Sequence, residues 1–222
     1  NESKKLIDVM KKIFNNLYSK ISKKQLIELL VNQLSGFFPL DEKEIKILEY
    51  NTDNVLERCL NCFNEIDNKY FRKNGQVIFS PYHSGQYLIY LYYFSNTCSN
   101  LGYKELADKL YYLNKILNSC DIYHELNLPK VFFLEHPVGS VFGRAKYGNN
   151  FMAFQSCTVG GNKDSYPDLG ANFKMFSGSK ILGNCIVGDN VTLAANTYVK
   201  DTNIPSNATV FGMSPNLILK YL

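Results

Sequence analysis

The chain has 222 residues, 45% of them hydrophobic and 20% charged, with a formal net charge of +4, an ordinary balance for a chain able to bury a sizeable core in one large or two small domains. No block of Lys and Arg is long enough to form a nucleic-acid arm, no apolar run approaches the ~18 residues of a membrane span, and the start lacks the apolar region of a signal peptide. The expected partners are small anionic molecules, with no nucleic acid and no membrane insertion, and the expected location is the cytoplasm.

Taken in chain order, residues 1–20 carry Leu6, Val9, Met10, Ile13 and Leu17 at helical spacing and predict a first helix. Ser22 and Gln25 form a capping box ahead of Leu26, Leu29, Leu30 and Leu34, with Gly36 as the stop, and predict a second. After the break at Phe37-Phe38-Pro39, two further helices are predicted over 41–50 and 54–69. The latter carries Val55, Cys59, Leu60, Phe63 and Ile66. Asn74-Gly75 marks a turn. The segment SGQYLIYLYYFS at 84–95 is rich in strand-favouring aromatics, yet its length and helical neighbours predict a buried helix. A last helix is predicted over 104–118, with Leu106, Leu110, Leu113 and Leu117 on one face. Six cysteines (Cys59, Cys62, Cys98, Cys120, Cys157, Cys185) are widely scattered and are expected as reduced thiols. Cys59-x-x-Cys62 lies inside a predicted helix without a second pair or a local His, so no metal is expected.

At Cys120-Asp121 the character changes to short apolar runs separated by Gly, Pro, Asn and Asp. An apolar residue returns every sixth position, as Leu169, Met175, Ile181, Val187, Leu193 and Val199, and a second register reads Phe173, Ser179, Cys185, Val191 and Thr197. The frame runs backward through Val159, Ala153 and Tyr147. Neither the helical nor the strand period gives this spacing, whereas a flattened coil with one hexad per face does. Gly178, Gly183-Asn184 and Gly188-Asp189-Asn190 supply its corners. The fold class expected is α+β: a helical N-terminal domain over 1–119, then a parallel β-helix of hexapeptide repeats over 120–222. NKDSYPD at 162–168 does not fit a hexad and predicts a loop thrown out from one corner. The frame ends at Ile204-Pro205-Ser206, followed by a last strand over 208–212 and a tail.

Several motifs from about His83 to the C-terminus resemble the serine O-acetyltransferase family. They are HSGQYLIY at 83–90, Asp121-Ile122, Glu135-His136-x-x-Gly139, QSCTVGG at 155–161, SGSKILGNCIVGDN at 177–190 and ATVFGMSP at 208–215. The resemblance implies a left-handed coil, a departure from the right-handed rule for parallel crossovers. It also implies a homotrimer or dimer of trimers holding acetyl-CoA between the coils of neighbouring subunits.

Acetyl transfer from a thioester to a hydroxyl needs a base for the hydroxyl proton, and an imidazole is suited to that work at neutral pH. His136 matches the family's base, and Asp121 matches the carboxylate that orients it. His83 and His124 are expected to be structural. Glu135 stands where the family has an Asp that meets the acceptor's ammonium group. In the loop, Asp164-Ser165-Tyr166-Pro167 replaces Asp-Arg-His-Pro, so the carboxylate-clamping Arg is Ser165 and the second His is Tyr166. Asp164 and Tyr166 are expected to meet the acceptor, L-serine or a sugar. Acetyl-CoA is expected on Gly160, Gly161, Ser177, Gly178 and Gly212, with Lys180 or Lys220 near its phosphates. The alternatives are an O- or N-acetyltransferase for a surface-polysaccharide sugar or nucleotide sugar, and a non-catalytic scaffold.

Overall fold

The computed structural model describes residues 10–221. It opens on a small sheet in which Lys11–Phe14 pairs antiparallel with Leu17–Ser19. The latter runs parallel to Gln76–Ile78, which hairpins onto Arg72–Lys73 through Asn74-Gly75. The helix expected over 1–20 is therefore corrected for residues 11–19. Asn15 turns the chain at φ +37°, and Leu17 and Ser19 are buried on either side of a less buried Tyr18, the two-residue alternation of a strand. Leu6 and Val9 lie outside the described residues.

Helix α1 spans Lys23–Phe37 behind the expected Ser22–Gln25 capping box, with Gly36 inside its last turn rather than beyond it. Helix α2, Glu42–Phe63, is continuous where two helices were expected. Asn51 and Thr52, in the expected gap, donate their side-chain hydrogens to the carbonyls of Ile47 and Leu48 at 2.8 Å, so the helix buries them without an unpaired group. Residues 64–69 leave the helix. Helix α3, Ser84–Asn100, is buried on every side from Gly85 to Cys98, as its apolar and aromatic run Tyr87–Phe94 requires, and its polar Gln86, Ser95, Asn96 and Thr97 are buried with hydrogen-bond partners. Helix α4, Lys104–Asn118, buries Leu106, Leu110 and Leu113 but leaves Leu117 exposed.

Helix α3 is the post to which both halves are tied. Arg58 of α2 donates to the Tyr93 carbonyl, Thr97 Oγ1 and Asn96 Oδ1, and its guanidinium lies 4.3 Å from the Tyr93 ring centroid. On the other side Tyr92 Oη donates to the Leu126 carbonyl and accepts from the Leu128 amide.

From Asp121 onward the chain winds as a left-handed parallel β-helix with three faces. The first stacks Asp121–Ile122, Val141–Phe142, Thr158–Gly160, Lys180–Leu182 and Tyr198–Lys200. The second stacks Lys146–Tyr147, Asp168–Leu169 and Ile186–Val187. The third stacks Phe132–Leu134, Phe151–Ala153, Lys174–Met175, Thr192–Leu193 and Ala208–Met213. Every residue of both hexad registers is buried, including Ser179 and Thr197. Equivalent positions stack in line, as Val159 on Ile181 on Val199. At the corner between the second and third faces Asn150, Asn172, Asn190 and Asn207 all have positive φ, and each carboxamide donates to the next at 2.8 Å. The expected C-terminal tail is in fact a strand, Asn216–Tyr221, folded back antiparallel on Ala208–Met213.

Candidate active site

Glu135 and His136 follow the strand Phe132–Leu134, at the corner between the third and first faces. The turn that carries them is tight: His136 has φ +47° and Gly139 φ +73°. The Val138 amide donates to the His136 carbonyl at 2.7 Å, and the Gly139 amide to Ser119 at 2.8 Å. The imidazole is 82% exposed, and its Nε2 lies 3.3 Å from Glu135 Oε1.

Asp121, expected to orient His136, has other partners within the chain. Its Oδ1 accepts from Tyr111 Oη at 2.8 Å and its Oδ2 from Lys115 Nζ at 2.6 Å. The cause is local: α4 ends just before the strand Asp121–Ile122, so side chains of its last turns reach that carboxylate. The hydrogen bond to Asp121 raises the pKa of Lys115; burial, then the same carboxylate, raises that of Tyr111. The Asp121 amide donates to the Ser140 carbonyl at 2.9 Å, so Asp121 touches the far side of the His136 turn through backbone. The acid beside the imidazole is Glu135.

Three further turns continue the corner of His136 along the coil. The Ser156 amide donates to Val138, Gly178 to Gln155 and Asn196 to Ser177, each at 2.9 Å. Ser177 and Gly178 therefore stand in one column with His136, and Lys180 Nζ folds back onto the Gly178 carbonyl at 3.0 Å. Gly160 and Gly161 do not join that column. They lie at the corner between the first and second faces, and so does the loop after them. There Asn162 and Ser165 exchange backbone hydrogen bonds at 2.9 and 3.0 Å across Lys163 and Asp164, both in the left-handed region. The predicted loop is thus a tight turn with Asp164 exposed at its tip. The Tyr166 ring lies over Gly161, where an added Cβ would come within 2.5 Å of it, and Arg144 Nη1 is 3.4 Å from its hydroxyl. Gly212 lies in the terminal hairpin, opposite Leu217, and Lys220 covers the Phe211 ring at 5.4 Å. One chain thus brings together Glu135, His136, Ser177, Gly178 and Lys180, and leaves Gly160, Gly161, Asp164, Tyr166 and Gly212 elsewhere.

A cavity of about 350 Å³ opens beside His136, walled by Phe133 to His136 and by Asn68, Tyr70, Tyr82, His83, Ser84 and Gly85 from the helical half. Gln86 builds that wall, accepting from the Ser80 amide at 2.6 Å and donating to the Tyr70 carbonyl at 2.9 Å. His83 caps α3, its Nδ1 accepting from the Gln86 amide at 3.3 Å. Burial lowers the pKa of His83; Glu135 raises it and His136 lowers it further by smaller amounts. Sequence reasoning assigned His83 to structure; the ring does cap α3, and it also lines the cavity, a place that had no sequence signal. His124 is buried between Ser99 and Asp108, at 2.9 and 3.0 Å, a structural role as expected. Among the described residues no group of three His, Cys, Asp or Glu side chains is placed to hold a metal ion, and no helix is long and apolar enough to cross a membrane.

No protein-family model matches the chain. Serine acetyltransferase of Staphylococcus epidermidis is 32% identical over 111 residues, covering 48% of this chain and 52% of that protein. The Staphylococcus xylosus enzyme is 28% identical over 118 residues, covering 51% and 54%. This chain is similar to serine acetyltransferases. It spans about half the length of the curated relatives it matches. Among solved structures, Vibrio cholerae serine acetyltransferase superposes with TM-score 0.69 at 21% identity, covering 90% of this chain and 80% of that one. A serine acetyltransferase in complex with CoA gives 0.65 at 19%, covering 88% and 83%. At these identities the likeness is one of fold, a helical N-terminal part followed by the left-handed β-helix.

Proposed function

We propose that the protein is an acetyl-CoA-dependent O-acetyltransferase resembling serine acetyltransferases, with His136 as its base. The observation that carries this reading is the Glu135–His136 pair, standing at one end of a column of β-helix corners and lining a cavity shared with the helical half. The acceptor hydroxyl attacks the thioester carbonyl as its proton passes to the imidazole. The tetrahedral adduct then collapses, the C–S bond breaks, and the CoA sulfur takes the proton back. Glu135 holds the Nε2 side, which leaves Nδ1 as the basic nitrogen, and its carboxylate stabilises the imidazolium that forms. Asp121 acts as a positioning group: with Lys115 and Tyr111 it fixes the strand on which the His136 turn rests.

The donor lies along the column of Ser177 and Gly178 with Lys180 near its phosphates. Gly160, Gly161, Asp164 and Tyr166 reach a site from the other corner when three copies associate, each loop covering the His136 corner of its neighbour. Release of CoA with a panel of hydroxyl acceptors tests the reading. His136→Ala should lower turnover by about 10²–10⁴-fold, and full activity in that variant would end it.

A further inference from the structure

We propose that His83 is a second active-site imidazole, donating from Nε2 to the acceptor, and that the acceptor is a neutral polyhydroxyl compound such as a sugar ring. The inference rests on the acetyl-transfer reading and narrows it. It starts from the ring's fixed protonation. Nδ1 of His83 accepts the Gln86 amide hydrogen at 3.3 Å, so the lone pair is there and the neutral ring carries its hydrogen on Nε2. Tyr70 and Phe71 hold that ring at centroid distances of 5.9 and 5.8 Å. The ring lines the same cavity as Glu135 and His136. A half-buried imidazole whose Nδ1 is occupied by the Gln86 amide presents its Nε2 hydrogen as a donor while His136 takes the proton.

The lining decides the acceptor's charge. The cavity wall holds one carboxylate, Glu135, and no Lys or Arg. Of the chain's three arginines, Arg58 is committed to α3 and Arg72 donates to the Asn64 carbonyl, while Arg144 is held on Tyr166 at the other corner and does not line this cavity. The ammonium group of L-serine could pair with Glu135, but its carboxylate would find no cation of the same chain lining the cavity, whereas the hydroxyl groups of a neutral acceptor can satisfy Glu135 and His83 together. Tyr82, 75% exposed, offers an aromatic face at the rim against which a sugar ring can lie, while the Tyr70 ring carries Lys69 Nζ at 5.1 Å.

His83→Asn tests the donor, because Asn is among the best N-caps and keeps the acceptor for the Gln86 amide while losing the reach of Nε2. CoA release is followed with neutral sugars and polyols and with L-serine, on wild-type protein and variant, with melting temperature as the folding control. The expected result is a neutral acceptor preferred to L-serine, and in His83→Asn an acceptor KM raised about tenfold, the size of one neutral hydrogen bond. The KM for acetyl-CoA should stay within about twofold, since no donor contact is removed. Tyr82→Ala, at an exposed rim position, should raise the KM for a sugar and leave Tm unchanged. A higher kcat/KM for L-serine than for every neutral acceptor overturns the acceptor class, and an unchanged acceptor KM in a folded His83→Asn variant overturns the role of His83. Failure of wild-type protein to transfer acetyl to any acceptor would instead overturn the acetyl-transfer reading, and this inference with it.

Discussion

Gly170→Ala is the sharpest test of how closely the coils are stacked. An ideal Cβ on Gly170 falls 2.5 Å from both the carbonyl carbon and the oxygen of Gly188, and Gly148 is covered in the same way by the backbone of Gly170. Those neighbours are main chain and cannot rotate away, so two coils must separate or tilt, and the ladders that join Asp168–Leu169 to Ile186–Val187 must stretch. Overpacking against rigid backbone costs about 1–3 kcal/mol. For a chain of this length that is a fall in Tm of roughly 2–12 °C. Gly36→Ala is the matched control: it lies in the last turn of α1 with nothing within 4 Å of the new methyl group. There the same chemical change should stabilise by about 0.5–1 kcal/mol, through lower backbone entropy in the unfolded chain. Urea titration of both variants reads the two signs directly. A Gly170→Ala variant as stable as wild type would refute the stacking argument. Because this corner is not the one that holds His136, the folded fraction should keep its turnover.

Other outcomes follow from burial. All six cysteines are buried and free, and burial pushes the thiols of Cys98 and Cys120 up to about 12 and those of Cys59, Cys62 and Cys185 upward as well. A thiol reagent at pH 8 should therefore label the native protein slowly and all six sites in urea, and fast native labelling would contradict it. His83 contributes a stability term with a definite sign. Its pKa is lowered below 6.5 by burial, so the unfolded state binds more protons as pH falls below 6.5. That contribution is full above pH 6.5 and lost between 6.5 and the folded pKa; His83→Asn should flatten this part of the pH–stability curve, seen by chemical denaturation at a series of pH values. Ile181→Ala, at a fully buried hexad position between Val159 and Val199, should cost about 2–5 kcal/mol by the same measurement.

The β-helix was legible because its rule is local: each hexad places one residue inward, and the corners are written in Gly, Asn and Asp. Leu169 through Val199 state the frame before any contact is known. The elements that escaped are those that apolar spacing does not decide. Ile13 and Leu17 fit a helix by spacing alone, whereas the hairpin of Lys11–Phe14 with Leu17–Ser19, and the pairing of the latter with Gln76–Ile78, make them strands. The continuity of α2 depends on Asn51 and Thr52 finding carbonyls in their own helix, a choice that spacing does not announce. In the candidate site, the turn that carries His136 was legible from its Gly-flanked motif, whereas the pairing with Glu135, the separate partners of Asp121 and the wall formed by His83 are tertiary facts.

This division has a functional consequence. A repeat presents the same corner at every turn, so the column through Gln155, Ser177 and Asn196 suits a long, uniform partner such as the pantetheine arm of CoA, and has little means to tell one small acceptor from another. Selectivity has to come from segments that break the repeat. Two do so at identifiable places: the N-terminus of α3, which closes the cavity beside His136, and the turn at 162–165, which carries Tyr166 on Gly161. The first faces the base within one chain, while the second stands at another corner and can face a base only across a subunit boundary. A change in acceptor choice should therefore follow substitutions at Tyr70, Tyr82 and His83 even where the loop is untouched. Changes at Tyr166 should act only as far as the chains associate.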